Sequence, residues 1–588
     1  TCSAQIQLDV TSSSKWNIRH ENQPFSVSVT PTINKAVAGL QLSYKWVDFF
    51  GQVQYPSTNL SMGALNNITL PSSMHQGYYE LVVEANNDSV CLPQRLAKQK
   101  REFGFVVLPD VLSASARALT PSSPLGIVHI NTDDPYICPG YSKATPPPTP
   151  TYFPIPNDWL IKTNGIKQKG YYETPLVVGD KYWNTEDNQP VSVGFLDTLK
   201  NYLQSDFQIA PSILYWELGL EENITSTYWK PYYWSNLTKK FQAARQAANA
   251  VNPDVKLIYQ VANLNMNAIT AFFKSTAPQY VDILSWHPYP WQNYPQSYPM
   301  PDSWLYKWLQ DIKAVKTQYG YSTMPIWFTE VGTPHHGNPG GSMHYPGGTL
   351  VQGHTRYEVA VYTAKMHAFA LSSEIEKVYW YNYQDRGSDP TYPEDHLGMR
   401  DYWGFPKANY GTYYFLTEAI KGSSLVFQNW INNKVFMVEF QKNSQESWII
   451  AWSNNSGQPT TIALSQLRNT LHPGNIAATL ATDGSPISPI SGSNITIPSY
   501  PIFIKYKPNI TSVSVAATPT LQVFPNPATD KLTIIGESNS KYVIINPLGQ
   551  EILRGTLSDE QTDIDVAHLP SMSYIVKVKN ASVKFFKQ

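Results

Sequence analysis

The chain has 588 residues, well past the size at which a single hydrophobic core stops growing, so roughly three or four domains are expected. Its 43 Lys and Arg almost cancel 44 Asp and Glu, and only 15% of residues are charged, which excludes the broad basic field that a nucleic-acid partner requires. No apolar run reaches the about eighteen residues of a membrane span, and three cysteines (Cys2, Cys91 and Cys138) are too few for a disulfide framework and lack zinc-site spacing.

Residues 1–112 alternate in short runs such as "FSVSVT" and "YYELVVEA" between Asn, Gly, Ser and Pro clusters, the pattern of an antiparallel β-sandwich, within which Cys2 and Cys91 could pair. From 113 to 425 apolar strands alternate with amphipathic helices, so parallel strands joined by helical crossovers are expected. The legible strands are "LGIVHI", "TPLVVG", "SILYWELG", "VKLIYQVA", "VDILSWH", "PIWFTEV" and "KVYWYNY". An eighth, weak strand falls within 131–173, which the proline-rich "ATPPPTPTYFPIP" interrupts. Seven strands with a weak eighth, and no glycine fingerprint for a dinucleotide, predict a (β/α)8 TIM barrel that needs no cofactor. Residues 426–508 return to strands and predict a second β-sandwich, and after a polar linker residues 521–588 form a small all-β unit.

In such a barrel the functional face is the set of loops at the C-terminal strand ends. "YWELGLEEN" carries Glu221 and Glu222 just past a strand, and "IWFTEVG" carries Glu330 at the end of another. Glycosidic cleavage needs one carboxyl group to protonate the departing oxygen and a second to attack the anomeric carbon. Side-chain alternation puts Glu217, Gly219 and Glu221 on one side of their strand, so Glu221 fits the mouth better than Glu222. Trp183 with Asn184, Asp385 with Arg386, and the loop histidines His335, His336 and His344 are candidates for lining subsites; none of the histidines shows metal-site spacing.

"WELGLEEN" resembles the "WEIGNEPN" type of strand-four signature, and "WFTEVG" the strand-seven signature, of the retaining (β/α)8 glycoside hydrolases of clan A, which include β-xylosidase, α-iduronidase, β-glucuronidase and cellulase families. The resemblance spans about residues 113–508 and implies Glu221 as acid/base, Glu330 as nucleophile and a carbohydrate substrate. "SWHPYP" is similar to the clan's strand-six motif, which gives Tyr289 a contact to the nucleophile and His287 a contact to the sugar. "VYWYNY" places Trp380 where the clan has a floor for the sugar. Leu220 stands where the clan has an Asn and Glu222 where it has a Pro, so a catalytically impaired carbohydrate-binding protein on the same fold is the competing expectation.

The C-terminal segments "LQVFPNPATDKLTI", "YVIINPLGQEIL", "TDIDVAHLPSMSYIVKV" and "VKFFKQ" resemble the type A sorting domain of the type IX secretion system. This implies the type IX machinery as a partner, passage across the outer membrane, and release or surface attachment.

Overall fold

The computed structural model describes residues 4–70, 74–92, 100–109, 123–131, 133–137, 141–144, 172–177, 188–219, 221, 229–290, 299–336, 341–345, 350–508, 522–524, 528–535, 538–546, 550–559, 561–579 and 581–587. Contacts divide the chain into two units, Thr1–Pro508 and Asn509–Gln588.

In the first unit, alternating apolar residues build two mostly antiparallel sheets. One runs in the order Asn66–Leu70, Phe25–Ile33, Ala4–Ser12, Val90–Cys91; the other in the order Ile18–His20, Lys100–Leu108, Gly77–Ala85, Leu42–Asp48, Val53–Leu60. Phe25–Ile33 turns every second residue inward, and Val27, Val29, Trp46, Leu81 and Phe105 meet in the shared core. Cys91 is disulfide-bonded to a partner outside the described residues, where both Cys2 and Cys138 fall.

Eight parallel strands then close into a barrel: β1 (Leu125–Val128), β2 (Tyr141–Ala144), β3 (Tyr172–Val177), β4 (Tyr215–Leu218), β5 (Lys256–Ala262), β6 (Ile283–His287), β7 (Ile326–Val331) and β8 (Ile375–Trp380). Pairing of β1 with β8, Ile127 opposite Trp380, closes the ring. The weak strand of the sequence is β2, four residues long, and the proline-rich stretch beyond it lies outside the described residues.

Helices follow the third to the eighth strands: α1 (Val193–Ile209), α2 (Tyr233–Val251), α3 (Met266–Lys274), α4 (Pro301–Gln318), α5 (Arg356–Ser372) and α6 (Ala408–Ile420). Their starts have local causes. Ser192 accepts from the Phe195 amide ahead of α1, Pro301 opens α4, and Thr355 with Glu358 forms a capping box on α5. Helices α5 and α6 are buried on nearly every side because a further sheet covers them.

That sheet has the order Ser424–Ile431, Val435–Asn443, Glu446–Ser453, Ile502–Tyr506, Ile476–Leu480. Phe369 of α5 packs on Phe436, and Asp302 accepts hydrogen bonds from both Lys365 (2.8 Å) and Trp452 (2.9 Å), joining α4, α5 and the sheet. The N-terminal sheets are tied in as well. Arg400 pairs with Asp134 at 3.1 Å and donates to the Trp16 carbonyl, while Asp483 accepts the Tyr78 amide at 2.8 Å.

The second unit contains a three-stranded sheet (Gln522–Phe524, Lys531–Ile535, Gln561–Asp565) and a four-stranded sheet (Glu551–Thr556, Lys541–Ile545, Ser573–Val578, Ala581–Phe586) around Leu532, Ile544, Tyr574 and Phe585.

Inside the barrel, side chains lie in layers, as alternation along each strand requires. Ile258, Ile283, Trp327 and Tyr379 belong to a buried apolar cluster. One step nearer the C-terminal strand ends come Lys143, Glu217, Gln260, Ser285 and Thr329, all buried. This polar layer supports the mouth.

Candidate active site

Three side chains converge above the polar layer. Glu221 follows β4, His287 ends β6 and Glu330 lies on β7, and one donor atom from each lies within 4.8 Å of the others. Glu221 lies beyond the last strand residue, Leu218, past Gly219 in the left-handed region (φ 82°), and its carboxylate is held at the mouth by His287 Nδ1 at 2.7 Å. Its own backbone is in the left-handed region (φ 43°), and its amide donates to Gln260 Oε1 at 2.6 Å, which fixes the turn.

Glu330 reaches the mouth by a different route. Trp327 and Thr329 face the interior, so strict alternation would turn Glu330 outward. Phe328, however, pairs with Val378 whereas Val331 pairs with Trp380, so β7 carries one surplus residue between them. That bulge re-aims the carboxylate into the barrel.

The charges are tightly arranged. Lys143 Nζ lies 2.9 Å from Glu330 Oε1 and 2.9 Å from Glu217 Oε2. Thr329 donates to Glu217 Oε1 at 2.6 Å, and His287 Nδ1 stands 2.7 Å from Glu221 Oε1 and 3.6 Å from Glu330 Oε2. Burial opposes every one of these charges, yet the neighbours win. Lys143, then His287 and Thr329, hold Glu217 down at about 2. Lys143 and His287 likewise hold Glu330 below the usual carboxylate range, and Glu217 and Glu330 hold Lys143 above the usual lysine range. For His287, Glu330, Glu217 and Glu221 outweigh burial and the Lys143 cation and push the imidazole up to about 9. Glu330 is therefore an ionised carboxylate at neutral pH.

Glu221, His287 and Glu330 have the donor chemistry to ligate a divalent cation. The Lys143 ammonium against Glu330 and the charge on His287 already supply the positive partners, so the cluster fits a cation poorly.

Further wall residues come from the loops after β7 and β8. The Tyr381 amide bonds to the Val331 carbonyl at 2.8 Å, and its hydroxyl donates to Glu394 Oε2 at 3.2 Å. Tyr345 donates to the other Glu394 oxygen at 2.8 Å. Gly332 is required here, since a Cβ would lie 2.4 Å from the Tyr381 carbonyl oxygen. Tyr289 is buried with its ring set edge-on to His287.

Two expected contacts are not brought to the pair. Trp380 is fully buried on the helix side of β8, stacked on His367 of α5, with Nε1 donating to the Leu397 carbonyl. Its neighbours Tyr379 and Tyr381 take the inward positions. His335 lines a cavity with Tyr78, Glu80, Arg101 and Lys407, between the barrel loops and the N-terminal sheets. Asp385 is a structural anchor, bonded to Lys407 at 2.6 Å and to the Gly398 amide at 2.8 Å. Trp183, Asn184, Leu220 and Glu222 lie outside the described residues.

Lys143, Gln260, Thr329, Tyr381 and Glu394 were not singled out from the sequence. A lone Gln in "VKLIYQVA" and a lone Thr in "IWFTEV", each a polar group on an otherwise apolar strand, were the available signals.

No curated protein matches the chain by sequence. Among solved structures, a family 39 glycoside hydrolase from the gut symbiont Bacteroides cellulosilyticus superposes with a TM-score of 0.58 at 16% identity, covering 85% of this chain and all of that one (100%). A glucosidase from Croceicoccus marinus matches at a TM-score of 0.39 and 13% identity, covering 78% of this chain and 89% of that one. A β-glucuronidase from Parabacteroides merdae gives 0.34 and 9%, covering 99% and 77%. The fold is thus similar to that of glycoside hydrolases, on the strength of the first. Residues 522–588 match the model of the secretion system C-terminal sorting domain, and the chain is accordingly exported by the type IX route to the cell surface or beyond.

Proposed function

We propose that the chain is an exported retaining glycoside hydrolase on a (β/α)8 barrel, with Glu330 as nucleophile and Glu221 as acid/base. The observation that carries this reading is the approach of carboxylate oxygens of Glu221 and Glu330 to within 4.8 Å. Retaining enzymes hold their carboxyl groups about 5–5.5 Å apart, whereas inverting ones need roughly 6.5–9.5 Å to admit a water.

In the first step an oxygen of Glu330 attacks the anomeric carbon, the glycosidic C–O bond breaks, and Glu221 gives its proton to the departing oxygen. In the second, Glu221 takes a proton from water as the hydroxyl attacks the glycosyl ester and frees Glu330. Glu221 is the more open of the two, its side chain 26% exposed against 13%, which suits exchange with leaving group and water. Formation of the ester removes the negative charge from Glu330. Glu217 then remains as the counter-ion of Lys143, so the cation is never left alone in the barrel. Tyr381, rather than Trp380, is the inward aromatic after β8, and Tyr289 and His287 border the same space.

The test is the configuration of the first-formed product, followed by proton NMR on chromogenic glycosides, together with mass-spectrometric trapping of a 2-fluoroglycosyl adduct. Retention with the adduct on Glu330 supports the reading. Inversion, or an adduct elsewhere, removes the nucleophile assignment, and binding without turnover of any glycan returns the carbohydrate-binding alternative.

A further inference from the structure

Arg386 stands at the barrel mouth, on the loop after β8, with its side chain exposed. Among the described residues Arg101, Arg245, Arg356, Arg400 and Arg468 each face a carboxylate, but Arg386 is in no ion pair. Two neutral groups hold it instead. Its Nη2 donates to His129 Nε2 at 2.9 Å, and its guanidinium lies over the Tyr381 ring, 5.2 Å from the centroid.

His129 is placed for this contact. It sits at the end of β1 in the left-handed region (φ 55°), an uncommon conformation for a residue with a side chain. Accepting from Arg386 requires an unprotonated ring nitrogen, and burial, then Arg386 itself, push the imidazole down to about 4, which keeps it neutral.

The placement is on the nucleophile's side of the site. Tyr381 is bonded through its amide to Val331, next to Glu330, and the charge of Glu330 is felt at both His129 and Tyr381. Strands β8 and β1 lie across the ring from β4, which delivers Glu221. A group met by Arg386 therefore belongs to the sugar that is attacked rather than to the leaving group. A guanidinium has five N–H donors in a planar fork that matches carboxylate and sulfate oxygens, and here one bond is made among the described residues. Glu330 and Glu394 would repel an anion entering without such a partner.

We propose that Arg386, braced by His129 and Tyr381, binds an anionic substituent, a carboxylate or a sulfate ester, on the sugar ring that Glu330 attacks, so that acidic glycans are favoured over neutral ones. This rests on the glycosidase reading above. The test compares kcat/KM on 4-nitrophenyl α- and β-glucuronides, the matching glucosides and their 6-sulfates, for the native chain and for Arg386→Met and Arg386→Lys. The acidic-to-neutral ratio should exceed unity in the native chain and fall about tenfold to a hundredfold in Arg386→Met, with Arg386→Lys between them. Preference for the uronide identifies a carboxylate, and preference for the sulfate ester identifies a sulfate. A native preference for the neutral glycoside, or a ratio unmoved in Arg386→Met, overturns the proposal. If no glycoside is cleaved, calorimetric binding of glucuronate and glucose 6-sulfate against glucose gives the answer separately. Acid-selective binding lost in Arg386→Met upholds the arginine's role while the hydrolase reading fails, and binding without selectivity ends both.

Discussion

Lys143 presents its ammonium to Glu330 at 2.9 Å from a strand only four residues long, two places along the ring from β4, which leads into Glu221. Replacing it with Met leaves two buried carboxylates without their cation. Loss of one partner of a buried pair costs about 3–5 kcal/mol, so the melting temperature of Lys143→Met should fall by several degrees. Glu330 would also take up a proton more easily, and the acid limb of the rate profile should move to higher pH. An unchanged limb would show that Lys143 does not set the protonation of Glu330.

The two glutamates should respond differently to an added nucleophile. Glu330→Gln should reduce turnover by several orders of magnitude with the melting temperature near native. Glu221→Gln should cost roughly 10²–10⁴-fold on substrates with poor leaving groups and much less on activated aryl glycosides. Azide should restore turnover in Glu221→Ala with a glycosyl azide of retained configuration, read by NMR.

His287 gives the site a pH signature. Its pKa is raised in the fold, so its stabilising contribution is complete below about 6.5 and lost as pH rises through about 9. Glu217 is the mirror case: its pKa is lowered, so its contribution is complete above about 4.5 and lost as pH falls through about 2. Melting curves of the native chain and His287→Asn should differ most at pH 5–6.5 and converge above about 9. Curves separated by a constant amount would show that the imidazole does not titrate in this range.

Gly332→Ala should disturb the wall beside Glu330. The added methyl meets the Tyr381 carbonyl, and overpacking of this kind costs about 1–3 kcal/mol. Because Tyr381 is the displaced group, KM for a glycoside should rise along with the loss of stability, whereas an exposed Gly320→Ala control should leave KM alone.

Removing residues 522–588 should stop export. In a host with the type IX machinery the truncated chain should collect in the periplasm, as followed by fractionation and immunoblotting, because the sorting domain is gone.

The legible parts of the site follow from local rules. Parity along Tyr-Trp-Glu-Leu-Gly-Leu-Glu favours Glu221 over Glu222 in the sequence, but alternation ends at Leu218, and a turn through Gly219 (φ 82°) and Glu221 (φ 43°) sets the side chain. Lys143 could not be read this way, since "YSKA" is too short to show alternation and runs straight into prolines. In "VYWYNY" aromatics occupy consecutive positions, so composition cannot tell which face is inward; pairing with β1 and β7 decides it and sends Trp380 to the helices. Helix α3, nine residues long, is brief enough to be hidden between two clear strands.

The bulge in β7 has a bearing on how such a site could be gained or lost. Only Thr329 and Glu330 lie between Phe328 and Val331, so restoring plain pairing by one deletion either drops Glu330 into the inward slot that Thr329 holds in the polar layer or removes its carboxylate altogether. Chemistry and architecture are separable at that point, and a barrel of unaltered outline could become inert by the loss of a single codon.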